Sequence, residues 1–571
     1  MRLVEIRLLD GPNLYRLEPT VRIELAVGRR RSWYGQRLPG RYAVVRLGAP
    51  VRRSDVPASV VDLVAWVRRL HRAALGRRAP VTVHRTSEPG RWVVAFPWHE
   101  RERAELLAQA AVRLTDEPSN RLFDRAVERI RAAAVTPPEW ITDEQRRRSG
   151  RHVPLISISG TNGKSTTTRM ITHIARVAGR HVGTTTTDGV LVDERIVEPG
   201  DYTGPQGARA ALGQPGIDLA VLETARGGIL LRGLGYQSND ASVLTNVSAD
   251  HLDLQGLHTL PELAEVKSVI CRVTPPTGTV VLNADDQLVA AIGARVRATV
   301  VLFSERGRGA RLRRHLARGG RAFVHDDGWL VELAGGRRRR IVAAAEIPAT
   351  LGGLARHNVA NALAAAAGAR ALGFSYAAIA AGLRDFRISA ELMPGRLNLY
   401  RRGNRLVIVD YAHNVAGLAV LLDTAEALIG RRGRRRTTLS VILGSAGDRP
   451  DDALRALAEL GARRADEVAI KEDLPFLRGR TRASVLGELR AGIRAAGANP
   501  AGVPVYVDEA TALKGELSTP GRMAADTSGV PRVVLLMCHA HREEVAAYLA
   551  AERFSAANDL AELADFRRPG P

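Results

Sequence analysis

The clearest chemical signal in this chain is a run of seven residues: Gly160, Thr161, Asn162, Gly163, Lys164, Ser165 and Thr166. A short apolar segment precedes this run, and a helical pattern over residues 165–178 follows it. Glycines at the start of a helix let backbone N–H groups point at phosphate oxygens. A lysine at this place reaches the β- and γ-phosphates, and the next hydroxyl is a ligand for Mg²⁺. The run therefore predicts a loop that binds nucleotide phosphates.

Lysine is rare in this chain, so the position of each lysine is informative. The chain has 83 lysine and arginine residues, of which only four are lysines: Lys164, Lys267, Lys471 and Lys514. Arginine serves equally well on a solvated surface, whereas only lysine offers a compact charge that can lose its proton. On a predicted helix, a neutral Lys267 could bind CO₂ and become a carboxylate-like metal ligand. The alternative is an ordinary surface lysine.

Two acidic motifs follow apolar strands of the same predicted sheet. Glu223 comes directly after residues 219–222, and Asp250, His251 and Asp253 come after residues 242–245. Because metal carboxylates lie at the ends of strands beside a phosphate loop, Glu223 is predicted to bind Mg²⁺ and His251 to help form a second divalent site. The alternatives are a surface residue or a helix cap for Glu223, and a buried His251 beside a helix-capping aspartate.

Composition narrows the class of protein. No run of about 18 apolar residues is present, so no membrane span is expected. The N-terminus lacks the apolar core of a signal peptide, and two cysteines, Cys271 and Cys538, fit a reducing cytoplasm. The net charge of +23 favours polyanions. Because arginine is spread along the whole chain, we interpret this charge mainly as a coding bias, and nucleic acid is not the expected partner.

Strand and helix patterns divide the chain into three domains and a linker. Residues 1–135 are predicted to form a small α+β domain, and the polar, proline-bearing residues 136–151 a linker. Strands and helices alternate over residues 152–393, which predicts a doubly wound α/β domain with a phosphate loop. Residues 394–571 are predicted to form a second, Rossmann-like α/β domain. The arginine run at 431–436 is interpreted as a solvated loop.

The order of the motifs resembles that of Mur ligases. The shared segments are residues 160–166, 223–228, 250–253, 267, 283–286, 357–363, 394–396, 410–414 and 447–449. Within this family the chain is most similar to the Mur-ligase half of the cyanophycin synthetase family, through residues 201–205, 223–230, 470–473 and 477–480. The resemblance covers about residues 152–560 and reaches residues 9–13.

The resemblance implies roles for individual residues. Lys164 and Ser165 would bind phosphates and Mg²⁺, Glu223 the first Mg²⁺, and His251 with a carbamylated Lys267 the second. Asn358 and Asn361 would face adenine, and Arg396 and Asp410 would reach the nucleotide from the C-terminal domain. The residues implied to bind the other substrates are Thr203, Arg226, His413, Arg449, Lys471 and Arg478.

The resemblance also implies an activity: an ATP-dependent acid–amino acid ligase that forms an amide through an acyl phosphate and releases ADP. Arginine or lysine would be added to an acidic peptide or polymer. Two departures matter, since only residues 136–151 stand where cyanophycin synthetases carry an ATP-grasp domain, and Leu474-Pro475-Phe476 replaces more acidic residues. Ligation onto another small acid, of peptidoglycan-precursor or folate type, stays open. A second alternative function also stays open, that of a non-catalytic subunit that partners a separate ATP-grasp enzyme. Assembly into a homo-oligomer is a further open possibility.

Overall fold

The computed structural model describes residues 1–27, 43–44, 55–148, 151–249, 256–429, 437–472, 474–518, 531–557 and 563. These residues form two compact units. The first contains the described parts of Met1–Gly160, Gly179–Val247 and Asp253–Val301, and the second contains those of Thr161–Ala178, Ser248–Leu252 and Leu302–Pro571. The predicted loop at 431–436 lies outside the described residues.

The first unit begins with a small group of strands and helices, which we call the N-terminal domain. Its elements are β1 (Arg2–Leu9), β2 (Thr20–Ala26), β3 (Ala43–Val44), α1 (Ala58–Leu75), β4 (Thr82–Arg85), β5 (Arg91–Pro97), α2 (Arg101–Asp116) and α3 (Asn120–Ala132). The strands form a five-stranded sheet in the order β1-β2-β5-β4-β3. Buried residues of α1 recur at helical spacing, as at Val60, Val64 and Val67, and join Phe96 of β5 in one core.

The rest of the first unit is built around parallel strands. Its elements are β6 (Arg147–Arg148), β7 (Arg151–His152), β8 (Leu155–Ser159), β9 (Val182–Thr185), β10 (Gly189–Val192), β11 (Arg195–Pro199), α5 (Pro205–Gly213), β12 (Leu219–Glu223), α6 (Arg226–Leu231), β13 (Ala241–Leu244), α7 (Leu260–Lys267), α8 (Val269–Arg272), β14 (Thr279–Asn283) and α9 (Gln287–Ile292). Helix α4 (Lys164–Val177) follows β8 in the chain but belongs to the second unit. Within the first unit the strand order is β11-β10-β9-β12-β8-β13-β14.

The register of the parallel strands brings three strand ends to one edge. Glu223 of β12 pairs with Ile158 of β8, and Leu244 of β13 pairs with Ser159 of β8. All three strands are fully buried, which explains their continuous apolar sequence. The residues that follow them, including the phosphate-loop glycine Gly160, therefore begin side by side.

The N-terminal domain contacts the segment that follows α6. The Asp10 amide donates to the Arg232 carbonyl at 2.8 Å, and the Leu234 amide donates to the Pro12 carbonyl at 2.7 Å. A side chain at Gly11 would overlap the Leu234 carbonyl, so only glycine fits there. Within the predicted linker, Arg146 is buried and forms an ion pair with Asp240 at 2.8 Å.

The second unit contains two further groups of elements. After β15 (Thr299–Ser304), which crosses the boundary between the units, come α10 (Ala310–Ala317), β16 (Arg321–Asp326), β17 (Trp329–Ala334), β18 (Arg337–Ala343), α11 (Arg356–Ala371) and α12 (Tyr376–Asp385). Strands β16, β17 and β18 form an antiparallel meander. Helix α4 packs against α11 and α12, where Ile174 contacts Gly382 and His173 donates to or accepts from Asp385 at 3.0 Å.

The C-terminal part of the second unit is a second α/β domain. Its elements are β19 (Asn398–Arg402), β20 (Arg405–Asp410), α13 (Val415–Ile429), β21 (Thr438–Leu443), α14 (Asp451–Arg464), β22 (Glu467–Lys471), α15 (Arg482–Ala495), β23 (Val505–Tyr506), α16 (Glu509–Ser518), β24 (Arg532–Met537), α17 (Arg542–Ala551) and β25 (Ser555–Ala556). The strand order is β23-β22-β21-β24-β20-β19-β25, and the first five of these strands are parallel. The α/β fold class expected from the sequence is confirmed.

Both cysteines are buried and do not form a disulfide. Burial raises the pKa of Cys271 to about 12, so this thiol stays protonated. Among the described residues, no helix has the length and apolar character needed to cross a membrane.

Candidate active site

The first unit supplies the start of the phosphate loop and holds it tightly. Gly160 follows β8 with a φ of +150°, and a side chain there would overlap the Thr245 hydroxyl. The Thr245 amide in turn donates to the Ser159 carbonyl at 3.0 Å. Because β8 and β13 end side by side, Gly160 lies directly against the residues that follow β13. Glycine is therefore required at this position.

Lys267 lies against the same glycine. Its side chain is buried at the end of α7, with the residue 4% exposed, and its Nζ donates to the Gly160 carbonyl at 2.6 Å. Helix α7 is fixed at its other end by a capping box between Thr259 and Glu262. Lys267 is therefore not a surface lysine, and its side chain lies at the start of the phosphate loop; its role as a metal ligand stays a prediction.

Glu223 is buried where β12 ends, with only 2% of the residue exposed. The backbone beside it is tied to β8, because the Thr224 amide donates to Ile158 and the Ser159 hydroxyl donates to the Thr224 carbonyl at 2.7 Å. A buried carboxylate at this edge is the type of hard oxygen ligand that Mg²⁺ binds. Neither a surface position nor a helix cap explains it.

Only some of the residues predicted to bind metal lie within the described part of the chain. His251 and its neighbours Asp250 and Asp253 lie outside the described residues. Among the residues that the structure does describe, no group of three or more His, Cys, Asp or Glu side chains could hold a metal ion. The Glu223 carboxylate and the Ser165 hydroxyl are both oxygen donors, so the chemistry of these two residues fits Mg²⁺.

Thr203 and Arg226, two predicted substrate residues, lie on neighbouring loops of the first unit. The Thr203 hydroxyl donates to Asp201 at 2.6 Å, and its carbonyl accepts from the Ala225 amide at 3.0 Å. Arg226 is the first residue of α6 and is partly buried. Gly228 of the same helix contacts the Gly204 backbone so closely that a larger residue would have to displace it.

The second unit supplies the rest of the phosphate loop and the helix behind it. Gly163 has a φ of +82°, and a side chain there would overlap the Asn361 amide of α11. Lys164 donates to the Thr161 carbonyl at 2.9 Å. The Thr161 hydroxyl accepts from the Ser248 amide at 3.1 Å. The loop is thus shaped by contacts on both sides of its sequence before any nucleotide binds.

Residues of the C-terminal domain reach this loop. Arg396 Nη2 lies 3.4 Å from the Ser165 hydroxyl, and its guanidinium is 4.6 Å from the centre of the Tyr411 ring. The side-chain amides of Asn162 and Asn414 exchange hydrogen bonds at 3.3 and 3.4 Å. Arg396 is therefore placed at the loop, and its role near the nucleotide stays a prediction.

Asp410 organises the segment that carries these residues. Its carboxylate accepts from the Leu397 amide at 2.8 Å and from the Ala412 amide at 2.7 Å. Burial raises the pKa of Asp410, although the Arg396 guanidinium and the two amides act in the opposite direction. Asp410 holds the turns around Arg396 and Asn414 in place.

Asn358 and Asn361, predicted to face adenine, are both buried in α11. Asn358 donates to the Ala349 carbonyl at 2.8 Å, and Asn361 donates to the Asn358 side chain at 3.0 Å. The structure brings Asn361 against the phosphate loop at Gly163. The contact of either residue with adenine stays a prediction.

A buried charge cluster, which the sequence motifs did not predict, lies in the C-terminal domain. Lys471 is 1% exposed, and its Nζ contacts Glu509 Oε1 at 2.8 Å and His539 Nδ1 at 2.9 Å. Glu509 also accepts from the His539 amide at 2.7 Å and from the His541 ring at 2.7 Å. The other ring nitrogen of His539 donates to the Ala412 carbonyl at 2.8 Å. The cluster therefore connects Lys471 with the loop that carries His413 and Asn414.

The electrostatics of this cluster are dominated by one ion pair. Burial alone raises the pKa of Glu509, but the Lys471 ammonium and the hydrogen bonds outweigh it and hold this pKa well below its ordinary value. The His541 ring also donates a hydrogen bond to the Glu509 carboxylate, and this bond raises the pKa of the His541 imidazole. Lys471 is thus bonded to protein partners within this cluster.

The remaining predicted substrate residues lie around Asp448. Arg449 is mostly buried with its Nη1 3.4 Å from Asp448, and Arg478 forms an ion pair with the same carboxylate. His413 Nδ1 lies 3.0 Å from the Tyr411 carbonyl, and its ring contacts that of His539. Arg449 and Arg478 are therefore brought together, while His413 belongs to the Glu509 cluster.

Comparisons with known proteins identify the family to which these domains are similar. Residues 158–369 match the Mur ligase middle domain, and residues 395–523 match the Mur ligase glutamate ligase domain. The cyanophycin synthetase of Synechocystis sp. is 42% identical over 362 residues, which are 63% of this chain and 40% of that protein. The UDP-N-acetylmuramoyl-L-alanyl-D-glutamate–2,6-diaminopimelate ligase of Corynebacterium efficiens is 28% identical over 447 residues, or 74% of this chain and 76% of that ligase.

A solved structure shows the same fold. The folylpolyglutamate synthase of Mycobacterium tuberculosis complexed with ADP superposes with a TM-score of 0.50 and 21% identity, over 72% of this chain and 92% of that chain. The chain belongs to the Mur ligase family of ATP-dependent, amide-forming ligases. It spans only about 40% of the length of the cyanophycin synthetases that it matches.

Replacing Glu509 by glutamine tests the buried cluster. The change leaves the Lys471 ammonium buried without its carboxylate, so the free energy of unfolding at pH 7 should fall by about 3–5 kcal/mol. Because the pKa of Glu509 is depressed in the folded state, its contribution is complete above the unfolded value of 4.5 and declines as the pH falls below it. The difference in free energy of unfolding between the unaltered protein and the Glu509→Gln variant, measured with urea, should therefore become smaller at acidic pH.

The matched control is Glu459→Gln, which removes a carboxylate from an exposed pair with Arg463. Its effect should stay within about 0.5 kcal/mol. Equal losses for the Glu509 and Glu459 variants would contradict the assignment of the buried ion pair as a main support of this domain.

Proposed function

We propose that this protein joins a carboxylate of an acidic peptide to the amine of an amino acid with a basic side chain, with conversion of ATP to ADP and phosphate. The observation that carries the proposal is the contact of C-terminal residues with the phosphate loop. Arg396 reaches Ser165, and Asn414 reaches Asn162. A ligase requires such contact, because the domain that delivers the amine must act on a carboxylate activated at the nucleotide.

The reaction has two bond-forming steps. A carboxylate oxygen of the acceptor attacks the γ-phosphorus of ATP, and the bond from that phosphorus to ADP breaks. The amine nitrogen then attacks the carbonyl carbon of the acyl phosphate, phosphate leaves with its bonding electrons, and the amine loses a proton. Lys164 and the backbone N–H groups of the loop balance the charge of the transferring phosphoryl group. Exclusion of water protects the acyl phosphate from hydrolysis.

Divalent metal is part of this proposal. Mg²⁺ at the site would screen the phosphate charge and polarise the reacting oxygens. Glu223 and Ser165 are the residues proposed to hold one ion, and His251 with a carbamylated Lys267 the other. The buried position of Lys267 beside the Gly160 carbonyl supports this use, since a carbamate there would place oxygen donors at the start of the phosphate loop.

Each domain has a proposed part in substrate binding. Thr203 and Arg226 would bind the acceptor, and His413, Arg449 and Arg478 would lie toward the incoming amino acid, with Lys471 acting through Glu509 and His539. Residues 152–393 and 394–571 would correspond to the central and C-terminal domains of the family. The N-terminal domain, residues 1–135, would help to bind the acidic acceptor; this rests on analogy with cyanophycin synthetases.

Only residues 136–151 stand where cyanophycin synthetases carry an ATP-grasp domain. Addition of aspartate would therefore require a separate enzyme of the ATP-grasp type. Similarity to a diaminopimelate-adding ligase over 74% of the chain favours, as a second candidate, ligation onto a peptidoglycan-precursor-like acid. A folate-type acid is the remaining alternative.

Release of ADP tests the proposed function. Purified protein is incubated with Mg²⁺-ATP, a β-linked aspartate–arginine peptide with a free terminal aspartate, and each amino acid in turn, and products are identified by mass spectrometry. We expect release that requires both substrates, with a product heavier by one arginine or lysine residue. Release with a muramyl peptide or a pteroate, but not with the aspartyl peptide, would favour the other acceptors. Release without any acceptor or amino acid would contradict a ligase.

Replacement of Lys267 tests the carbamate. The Lys267→Ala variant should lose about a thousandfold or more in turnover, because the metal loses a ligand. A small carboxylate such as acetate should restore part of the activity, and removal of CO₂ and bicarbonate should slow the unaltered protein. Lys514→Ala is the control, since Lys514 lies over Tyr548 in the C-terminal domain. Equal activity with and without bicarbonate, and no rescue by acetate, would contradict carbamylation.

A further inference from the structure

Glu472 follows β22 and is a buried acid to which no role has been assigned above. Its side chain is 4% exposed, and its Oε1 accepts from Arg482 Nε at 2.6 Å. Its Oε2 is buried and has no hydrogen-bond donor among the described residues. A buried carboxylate oxygen without a donor is costly, so this atom points to a group that arrives with a ligand.

The surroundings of Glu472 form a pocket with a distinct character. Ser445, Lys471, Glu472 and Arg482 are its polar members, and its apolar wall consists of Ile470, Leu474, Leu477, Val485, Leu486 and Leu489. As it stands the pocket has room for about one water molecule, ≈ 10 Å³. Leu474 is 43% exposed, so part of this apolar wall is accessible to solvent.

An apolar wall beside a buried carboxylate is complementary to one type of side chain. Lysine and arginine combine a methylene stem, which packs on apolar surface, with a cationic head that donates hydrogen bonds. A carboxylate is poorly suited to hold the reacting α-amine, because it would keep that nitrogen protonated. The charge of Lys471 does not compete for Glu472, since Glu509 balances it at 2.8 Å.

We propose that Glu472 is the specificity-determining residue that receives the cationic side chain of the incoming amino acid. This inference rests on the proposed function and assigns its amino acid to the basic class. Arg482 shows that a guanidinium fits on this carboxylate, and its side chain is 58% exposed and so free to be displaced. Arg482 then acts as an internal competitor that covers Glu472 until the substrate arrives.

The Glu472→Gln variant tests the inference directly, because it keeps the shape of the side chain and removes its charge. Rates of ADP release are measured against the concentration of arginine, lysine and citrulline, the neutral isostere of arginine. We expect the KM for arginine to rise about tenfold or more with kcat changed less than about threefold, while citrulline is little affected. The relative losses for arginine and lysine show whether a guanidinium or an ammonium is preferred.

Glu488→Gln is the matched control. Glu488 lies on α15, the helix that also carries Arg482. Its carboxylate pairs with Arg455 and does not line the pocket. Its KM for arginine should equal that of the unaltered protein. An arginine-to-citrulline ratio that is the same in the Glu472 and Glu488 variants would overturn the inference.

The Arg482→Ala variant predicts an effect of opposite sign. Removal of the internal competitor should lower the KM for arginine severalfold, whereas a purely structural Glu472–Arg482 pair would give an unchanged or higher KM. The Arg482→Ala variant also tests the role of Glu472 if the Glu472→Gln variant does not fold.

Calorimetric binding of arginine and citrulline, without ATP, separates this inference from the proposed function. If the unaltered protein binds arginine through Glu472 but forms no amide, the proposed function fails and the inference stands. If the protein ligates an amino acid but binds arginine no better than citrulline, the inference fails and the ligase stands.

Discussion

The close contact between the phosphate loop and its neighbours is the constraint on which the site depends. At Gly160 the loop lies against Thr245, and at Gly163 it lies against Asn361. No other residue type fits at either position without moving the neighbour, and both backbones have positive φ angles. Strand ends therefore shape the loop at Gly160, and α11 shapes it at Gly163. Lys267 then bonds to the same Gly160 carbonyl, which links a predicted metal ligand to this constraint.

The scarcity of lysine gains a structural explanation. Lys164 and Lys267 each donate to a carbonyl of the phosphate loop, and Lys471 is fully buried against Glu509. A guanidinium could not be carbamylated. Lysine is retained at these places in a chain that otherwise uses arginine.

Local patterns made part of the structure predictable and left the rest invisible. The loop and Glu223 could be found because strand ends and helix starts leave a signature in consecutive residues, and Lys267 because lysine is rare in this chain. The partners Lys471 and Glu509 are 38 positions apart and meet only when the sheet of the C-terminal domain is formed. The docking of residues 10–12 on 232–234 depends on tertiary contacts in the same way. The fold class followed from alternating elements, whereas the pocket at Glu472 required the structure.

The central claim is that a substrate carboxylate is activated by phosphoryl transfer, and an isotope measurement tests it most directly. An acceptor peptide labelled with ¹⁸O in its reacting carboxylate is turned over with unlabelled ATP, and the released phosphate is examined by mass spectrometry. The account predicts one ¹⁸O atom in each phosphate, because an acceptor oxygen bridges to phosphorus and leaves with it. Phosphate without ¹⁸O, formed together with ADP and amide, would contradict the acyl-phosphate route.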